Sequence, residues 1–556
     1  MINKLQQRWK LALLAAIFLL AIILRLYNLG ILPYGLHEDE MMNGYVGRFT
    51  LLNGKDLYGN RWPLLYFNNF GDYPPIIPMY LSGISTFIFG VTPFAVRFPI
   101  AAAGAIAIIP MYLLGKMLFK KERYALAGAF FLAILPWHIL LSRATAENVT
   151  AVTAHLFSMY FLFQYLETKK LKYLSVSTIL LIAKYFLYAT FRVTIPLTMF
   201  AAIFLDKGKK WRTIFIILTI FFTLVTLLIG KTPWGEGRFK QTSILYFNDT
   251  LKGRISLLDT QEGPGHTLMA NIFHNKLVVF TREFIRQYLS YYSPNFLFTD
   301  GGIPRRYLLS DTGLLYISFF AFGVLAIFIS LGPKENVPIE ILNQKRRKLF
   351  MFILFTMLVS LIPAAMTLDD VPNVHRTILF GVTLIFPITL VFAYLEKIHW
   401  KKISLQGILL LAITAEFVYF WHQYSVHVPQ VESIYRGDDR TTLAKYLVTH
   451  HNEFDIVYLP HDAKPLYYLF FSNNFSSNLA GQFGPNIALD HVDNLVFIGD
   501  NCPSGTAQIH PTAKSLVIDR GECKIPGDFF QVDQVMRIDN TSSFHLLKLS
   551  APKNFK

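Results

Sequence analysis

Long apolar runs separated by short polar stretches dominate the first three quarters of the chain. Many of these runs are close to the roughly 20 residues that a helix needs to cross a bilayer. Eleven runs qualify, at residues 11–29, 97–118, 123–140, 150–167, 172–188, 193–206, 212–230, 309–331, 349–366, 377–396 and 403–421. The pattern predicts a mainly α, polytopic membrane protein with about 11 transmembrane helices.

The apolar segment 76–90 does not fit this pattern. It is too short for a hydrocarbon core of roughly 30 Å. It also carries four residues that weaken a spanning helix, namely Pro78, Ser82, Gly83 and Ser85. We therefore expect this segment to form a helix that lies in or against the outer membrane interface.

Clusters of Lys and Arg indicate the orientation, because positive residues favour cytoplasmic loops. Six clusters occur, at Lys4, Arg8 and Lys10; Lys120, Lys121 and Arg123; Lys169, Lys170 and Lys172; Lys207, Lys209, Lys210 and Arg212; Lys345, Arg346, Arg347 and Lys348; and Lys397, Lys401 and Lys402. All six fall on the side of the N-terminus if 76–90 does not span. We predict an integral protein of the cell membrane with a cytoplasmic N-terminus, outer loops at 30–96 (the first loop) and 231–308, and an extracytoplasmic tail.

The loop 231–308 contains a segment with apolar residues at helical spacing. These residues are Phe273, Leu277, Phe280, Phe284 and Tyr288. The spacing predicts an amphipathic helix. It fits a helix on the membrane surface and a helix inside a folded loop about equally well.

The chain changes character after residue 422, where Gly, Pro, Asn and Asp become frequent. "TTLAKYLVTH" predicts a helix, and "DIVYLP", "NLVFIGD", "SLVIDR" and "FHLLKL" predict strands bounded by turn residues. We divide the chain into a transmembrane domain, 1–422, and a small extracytoplasmic α/β domain, 423–556. The two cysteines, Cys502 and Cys523, both lie in this tail, where an oxidising compartment would favour a disulfide.

The net charge of +16 does not change this picture. In a chain with 53% hydrophobic residues, excess Lys and Arg indicates contact with anionic membrane lipids. We expect membrane lipids as partners and no nucleic acid.

Candidate chemistry gathers on the predicted outer side. Three acids, Glu38, Asp39 and Glu40, follow the first span, and Glu147 lies at the mouth of the fourth. Carboxylates at a wet membrane rim can be solvated, can bind a cation or can act as a general base. No metal is required by the last role, although the three clustered acids could hold a divalent cation through oxygen ligands.

Arginines at outer helix ends point to a more specific chemistry. They are Arg143, Arg192, Arg376, and Arg305 with Arg306. Arg binds phosphate through several directed donors, and lipid phosphates lie at this depth. One interpretation is that Arg holds a lipid phosphate while a carboxylate activates a hydroxyl that attacks the carbon attached to that phosphate. For any single arginine, a side chain that snorkels from a helix end is the simpler explanation.

Several stretches resemble glycosyltransferase family 39 of the GT-C superfamily, which includes protein O-mannosyltransferases and aminoarabinose transferases. The resemblance is carried by "HEDEMMNGYVGRFTLLNGKDLYGN", "FGDYPPIIPMYL", "FGVTPFAVRFPIAAAG", "LPWHILLSRATAEN", "LYATFRVTIP", "SYYSPNFLFTDGG" and "IPAAMTLDDVPNVHR". Their order and predicted side of the membrane match the prokaryotic branch of that family.

The resemblance implies inverting transfer of a monosaccharide from a polyprenyl-phosphate donor to a protein, lipid or glycan acceptor on the outer face. It implies Asp39 as the catalytic residue, followed by Glu40, with Glu147 as a second acid. Glu38, Tyr73, Pro74 and His375 are then expected to line the substrate. Aminoarabinose transferases tend to carry a lysine before the proline of the first loop, whereas this chain has Tyr73 before Pro74. Phosphate binding is therefore expected from Arg192, Arg376, Arg305 or Arg143.

Two other classes of protein compete with this interpretation. A transporter of lipid or glycan usually places ionisable groups near the bilayer midplane and shows internal repeats. The predicted spans have almost no acids at their centres, and the two halves show no repeat. A noncatalytic membrane assembly protein with an external tail is the other alternative.

Overall fold

A computed structural model gives the fold of this chain. It describes residues 2–67, 73–244, 249–263, 268–309, 312–330, 344–400, 403–431, 433–484 and 488–550. Residues 310, 311 and 331 of one predicted span, and Lys401 and Lys402 of the last basic cluster, lie outside these ranges.

Helices make up most of the part before residue 432. The helices up to the end of the predicted seventh span are α1 (Ile2–Leu26), α2 (Glu38–Asn53), α3 (Ile76–Phe89), α4 (Pro93–Ile106), α5 (Ile108–Leu118), α6 (Glu122–Ile134), α7 (Pro136–Arg143), α8 (Asn148–Thr168), α9 (Leu171–Tyr185), α10 (Phe191–Ala202) and α11 (Lys209–Gly230). The later helices are α12 (Pro233–Thr242), α13 (Asp249–Gln261), α14 (Leu268–Phe273), α15 (Lys276–Ser290), α16 (Ile317–Ser330), α17 (Gln344–Val359), α18 (Ile362–Ala365), α19 (Ile378–Tyr394), α20 (Leu405–His422) and α21 (Val428–Val431). A two-residue strand pair, β1 (His399–Trp400) and β2 (Ile403–Ser404), precedes α20.

Every predicted span contains a helix, but their lengths differ. In the described part of the chain, six helical rods are long and apolar enough to cross a membrane, at Gln7–Leu26, Pro93–Leu118, Asn148–Thr168, Lys209–Gly230, Arg346–Ala365 and Leu405–Val431. The pair α6 and α7 would be a seventh, bent span. Helices α10, α16 and α19 are shorter than predicted, and the last rod continues past residue 422 through a π-helical turn to Val431.

The bend between α6 and α7 positions one wall of the site. Pro136 lacks the N–H that would continue the helix, and the two halves meet at 51°. The carbonyls of Leu132 and Ala133, freed at the break, accept hydrogen bonds from the buried Arg25 guanidinium at 3.3 and 3.0 Å. Arg25 thus stabilises the break that directs α7 towards Glu147.

Helices α2 and α3 cross in the first loop with their backbones in direct contact. A side chain at Gly47 would overlap the carbonyl oxygen of Met79, and one at Gly83 would overlap the backbone of Gly47. The segment 76–90 forms α3, and its side chains Phe87 and Ile88 are exposed. Its placement in the membrane interface remains a prediction.

The amphipathic segment of the second loop forms α15, whose N-terminus is capped by the Asn275 side chain. Its buried positions are Val279, Glu283 and Gln287, whereas Leu277 and Phe273 are exposed. Phe280, Phe284 and Tyr288 are half-buried against neighbouring apolar clusters, so the predicted apolar face packs on the protein over the C-terminal part of α15 and is exposed before it.

The C-terminal domain is a mixed six-stranded sheet in the described residues, with strand order β4-β5-β3-β6-β8-β7. Its elements are α22 (Asp438–His450), β3 (Ile456–Pro460), α23 (Pro465–Phe471), β4 (His491–Val492), β5 (Leu495–Ile498), β6 (Ser515–Arg520), β7 (Phe529–Met536) and β8 (Ser542–Leu549). Strands β5, β3 and β6 are parallel and the others pair antiparallel. Strand β7 was not predicted, and most of its residues are exposed.

Two cores hold these parts together. The larger one lies among the membrane helices and includes Trp137 and Phe386. The second joins α2 and α3 of the first loop to the C-terminal domain, so that Tyr45 and Phe470 belong to one buried cluster. A disulfide joins Cys502 to Cys523 at the edge of this domain.

Candidate active site

The three acids of the first loop lie in the first turn of α2. The His37 side chain caps the helix by accepting the Asp39 N–H at 3.1 Å. Burial lowers the pKa of His37 to about 4, so that the ring is neutral at pH 7 and can accept. Successive residues of a helix point in different directions, and the acids accordingly have separate partners.

Glu40 points inward and is a structural anchor. Its side chain is 3% exposed and forms ion pairs with Arg97 at 3.0 Å and Arg436 at 2.6 Å. It also accepts hydrogen bonds from Thr145 and from the His37 N–H. Burial would raise the pKa of Glu40, but Arg436 and Arg97 outweigh burial and lower it to about 2. These contacts explain why Glu40 is buried and ionised, whereas its predicted catalytic role stays a prediction.

Asp39 points to the outer surface of the site. Its side chain is 43% exposed, and its Oδ2 lies 3.3 Å from Nη2 of Arg306. Burial alone would lower the pKa of Arg306, but Tyr307 and Asp39 raise it above its ordinary value. Arg306 therefore stays cationic and fixes the Asp39 carboxylate. Glu38 lies on another side of α2, where Lys464 is 3.6 Å away.

Glu147 lies in a second group of side chains beside Asp39. Its Oε2 is 3.6 Å from Nε2 of His375, whose Nδ1 forms a 2.9 Å hydrogen bond with the Tyr188 hydroxyl. The Tyr307 ring stacks on His375. Burial raises the pKa of Tyr307 to about 12, with Arg306 opposing the rise and the charges of Asp39 and Glu147 adding to it. Both carboxylates therefore act electrostatically on Tyr307.

Tyr73 and Arg192 meet in an aromatic layer. Tyr73 packs edge-on against Tyr66, whose ring stacks with Trp234. The Arg192 guanidinium lies 3.8 Å from the centre of the Trp234 ring. Pro74 follows Tyr73 and is half-buried. This layer places a cation from the start of α10 next to the first loop.

The remaining predicted arginines have different surroundings. Arg376 is held by Asp369, with Nη2 to Oδ2 at 2.7 Å, and Arg305 lies near Asp300 at 3.6 Å with 43% of its side chain exposed. Arg143 is fully buried and donates to the Tyr424 hydroxyl and to the carbonyls of Leu24, Tyr27 and Leu32. These bonds give Arg143 a structural role, and its predicted contact with a donor phosphate stays untested.

The described residues contain no group of three or more His, Cys, Asp or Glu side chains that could hold a metal ion. The reason is visible at α2, where each of the three neighbouring acids faces a cation instead of a shared centre. The residues therefore do not fit the cation site considered for Glu38, Asp39 and Glu40.

A cavity of about 540 Å³ opens beside these groups. Its volume falls within the range of small-molecule sites, roughly 300–1,000 Å³. Its lining includes Arg254, Arg286, Gln287 and Asp369. The neighbouring Asp370 raises the pKa of Arg306 together with Asp39, so one wall of the cavity lies close to the catalytic candidates.

Sequence reasoning missed most of the contacts that organise this site. Arg306 was recognised as an outer arginine beside Arg305, but its ion pair with Asp39 was not predicted. Tyr307, which stacks on His375, carried no motif. Arg97 was present in the quoted "FAVRFP", but its ion pair with Glu40 depends on the fold. Arg436 belongs to a tail segment that carried no motif.

Comparison with known proteins gives similarities in sequence and in fold. Residues 72–230 match the family model of dolichyl-phosphate-mannose-protein mannosyltransferases. The structure is similar to the crystal structure of ArnT from Cupriavidus metallidurans bound to undecaprenyl phosphate, with a TM-score of 0.54, 10% sequence identity and coverage of 98% of each chain. No curated protein sequence gives a match. The chain thus has a fold like that of ArnT, and its residues 72–230 carry the sequence pattern of the mannosyltransferase family.

Proposed function

We propose that this protein is an inverting membrane glycosyltransferase. It transfers a monosaccharide from a polyprenyl-phosphate donor to a hydroxyl of a protein, lipid or glycan acceptor, with Asp39 as the general base. The observation that carries this proposal is the ion pair between the half-exposed Asp39 and Arg306 beside Tyr307, His375 and Glu147.

The chemistry needs few groups. As the acceptor oxygen attacks the anomeric carbon, the Asp39 carboxylate takes its proton, and the bond between that carbon and the phosphate oxygen breaks. The attack comes from the face opposite the leaving phosphate, which inverts the carbon. Arg306 orients the carboxylate, and Glu147 with His375 forms a second polar wall for the sugar.

The leaving polyprenyl phosphate needs a cation to stabilise its charge. Arg192, which lies against Trp234, is our first candidate, and Arg305 and Arg376 are further ones. The similar ArnT structure contains undecaprenyl phosphate, which supports a lipid-phosphate donor. Guanidinium groups can serve in this role without a metal ion.

We place this site and the C-terminal domain outside the cytoplasm and the N-terminus inside. The six basic clusters of the sequence support that orientation. A membrane-impermeant maleimide added to intact cells should label a cysteine introduced at Glu38 but not a cysteine introduced at Lys170. Labelling of both positions from one side would contradict the orientation.

The test of the activity uses purified protein in lipid nanodiscs and a panel of polyprenyl-phosphate sugars, with release of polyprenyl phosphate as the readout. Asp39→Asn should lower turnover by roughly 10²- to 10⁴-fold, because the base is lost. The matched control is Asp206→Asn, since Asp206 is also an ion-paired, partly exposed acid but pairs with Lys169 in a predicted cytoplasmic loop.

Two results would reject the proposal. The first is full turnover in a correctly inserted Asp39→Asn protein. The second is a wild-type protein that moves labelled lipid across a bilayer but releases no polyprenyl phosphate, which would favour the transporter alternative.

A further inference from the structure

Arg436 is a buried arginine that connects the C-terminal domain to the candidate active site. It ends the short 3₁₀ helix Ser433–Arg436, just before α22, and is 2% exposed. Its guanidinium makes three contacts with other segments. Nη2 donates to Oε2 of Glu40 at 2.6 Å, Nη1 to the carbonyl oxygen of Arg306 at 2.9 Å and Nε to the carbonyl oxygen of Tyr34 at 3.2 Å.

Two of these partners adjoin the catalytic pair. Glu40 follows Asp39 in the first turn of α2, and Arg306 is the residue whose side chain holds Asp39. One planar guanidinium therefore fixes the backbone that carries the base and the backbone that carries its cationic partner. Arg97 holds the other side of Glu40, so the carboxylate of Glu40 is clamped between two cations.

The surrounding contacts make this arrangement rigid. The Tyr467 hydroxyl donates to the carbonyl oxygen of Leu36 at 2.6 Å, and the Leu36 N–H donates to Thr441. Gly35 has φ +72° and leaves no room for a side chain, which would lie 2.7 Å from the carbonyl oxygen of Arg436. Together with the shared apolar core, these contacts build the C-terminal domain into the first loop.

We propose that Arg436 is a positioning residue for glycosyl transfer, which makes the C-terminal domain a part of the active site. This inference rests on the proposed function. Arg436 itself touches no reacting atom. It sets the distance and angle between Asp39 and Arg306 through Glu40 and through the Arg306 backbone. Displacement of a catalytic group by about 1 Å can cost roughly 100-fold in rate, which is the scale expected here.

The experiment compares Arg436→Gln, Arg436→Lys and Arg537→Gln in the full-length protein. Arg537 is the matched control, because it is also a mostly buried arginine of the C-terminal domain, but it pairs with Asp439 inside that domain. Arg436→Gln should lower kcat by roughly 100-fold. KM for the polyprenyl-phosphate sugar should stay nearly constant, because no donor contact is removed.

Arg436→Lys should have a kcat between those of Arg436→Gln and the wild type. Lysine can still pair with Glu40 but cannot reach three acceptors at once. Arg537→Gln should keep kcat near that of the wild type. A second readout is hydrogen exchange, which needs no turnover. Exchange at residues 34–41 and 303–308 should become faster in Arg436→Gln and remain unchanged in Arg537→Gln.

The outcomes separate the two proposals. If the wild type is active and Arg436→Gln has the same kcat, the positioning role is overturned. Unchanged hydrogen exchange at both segments in Arg436→Gln would overturn it as well. An equal loss of kcat in Arg537→Gln would show that the loss comes from general destabilisation, and this result would also overturn the positioning role of Arg436. If the wild type releases no polyprenyl phosphate, the proposed function fails, whereas faster exchange confined to Arg436→Gln would still support the structural link.

Discussion

The Tyr307 ring lies flat on the His375 ring, with the ring centres 5.1 Å apart and the planes within 9° of each other. His375 also faces Glu147 and forms a hydrogen bond with the Tyr188 hydroxyl, while Arg306, next to Tyr307 in the chain, pairs with Asp39. The site is therefore organised around an aromatic wall as well as around charges.

Loss of this wall should impair transfer. We expect Tyr307→Leu to lower kcat at least about 10-fold, because His375 loses the surface that fixes its ring. Tyr307→Phe keeps that surface and should retain most of the activity. Equal losses in the two variants would show that the hydroxyl, which faces Arg306, matters more than the stack.

Glu40 should matter for stability rather than for chemistry. Glu40→Gln leaves Arg97 and Arg436 buried without their counter-charge, which costs roughly 3–5 kcal/mol in comparable cases. The midpoint of thermal unfolding in detergent at pH 7 should fall clearly below that of the wild type. A stable variant that has lost all turnover would instead assign Glu40 a direct catalytic role.

The contribution of Glu40 to the stability of the fold should also depend on pH. Its pKa is about 2 in the folded protein, against an ordinary value of 4.5. A depressed pKa stabilises the fold by about 3 kcal/mol above pH 4.5, and this stabilisation is lost as the pH falls towards 2. The difference in unfolding midpoint between wild type and Glu40→Gln should therefore narrow between pH 6 and pH 3. A constant difference over that range would contradict this account.

Arg192 should affect the donor more than the chemical step. Arg192→Met removes the cation that lies against Trp234, and we expect KM for the polyprenyl-phosphate sugar to rise about 10-fold, equivalent to about 1.4 kcal/mol. Arg212→Met is the control, because Arg212 is an exposed arginine at the start of α11, away from the first loop. An unchanged KM in Arg192→Met would indicate that Arg305 or Arg376 binds the donor phosphate instead.

The crossing of α2 and α3 gives a test of packing. Gly47→Ala should destabilise the protein by about 1–3 kcal/mol, because the methyl group overlaps the Met79 carbonyl. Gly253→Ala, in the middle of α13 with open space around it, should instead be neutral or stabilising by up to about 1 kcal/mol. Thermal unfolding of both variants checks the contrast, and equal effects would argue against a close helix contact.

The helices could be predicted well because each depends mainly on its own composition. An apolar run of sufficient length must satisfy its backbone internally in a bilayer, and this requirement can be read locally. Helix ends were less predictable. The predicted span 309–331 begins as a helix only at Ile317, and Leu309 and Thr312 before it form an antiparallel bridge.

The site could be predicted only in part, since its contacts join distant segments. The first-loop acids were recognised, but their different roles follow from partners elsewhere in the chain, such as Arg436 for Glu40. The donors of Arg143 are occupied by carbonyls that are exposed where α1 ends. Arg305 and Arg306 are adjacent in sequence, and only the local turn decides which of them faces Asp39.

The hydrogen bond between Tyr467 and Leu36 joins residues that are 431 positions apart. At synthesis rates of about 5–20 residues per second, the first loop is made roughly 20–90 s before its partner leaves the ribosome. During that interval the apolar face of α2 lacks its cover, and Glu40 lacks one of its two arginines. A chain made as far as residue 422 therefore carries both Asp39 and Arg306 but not Arg436, and this assembly is completed only by the last quarter of translation.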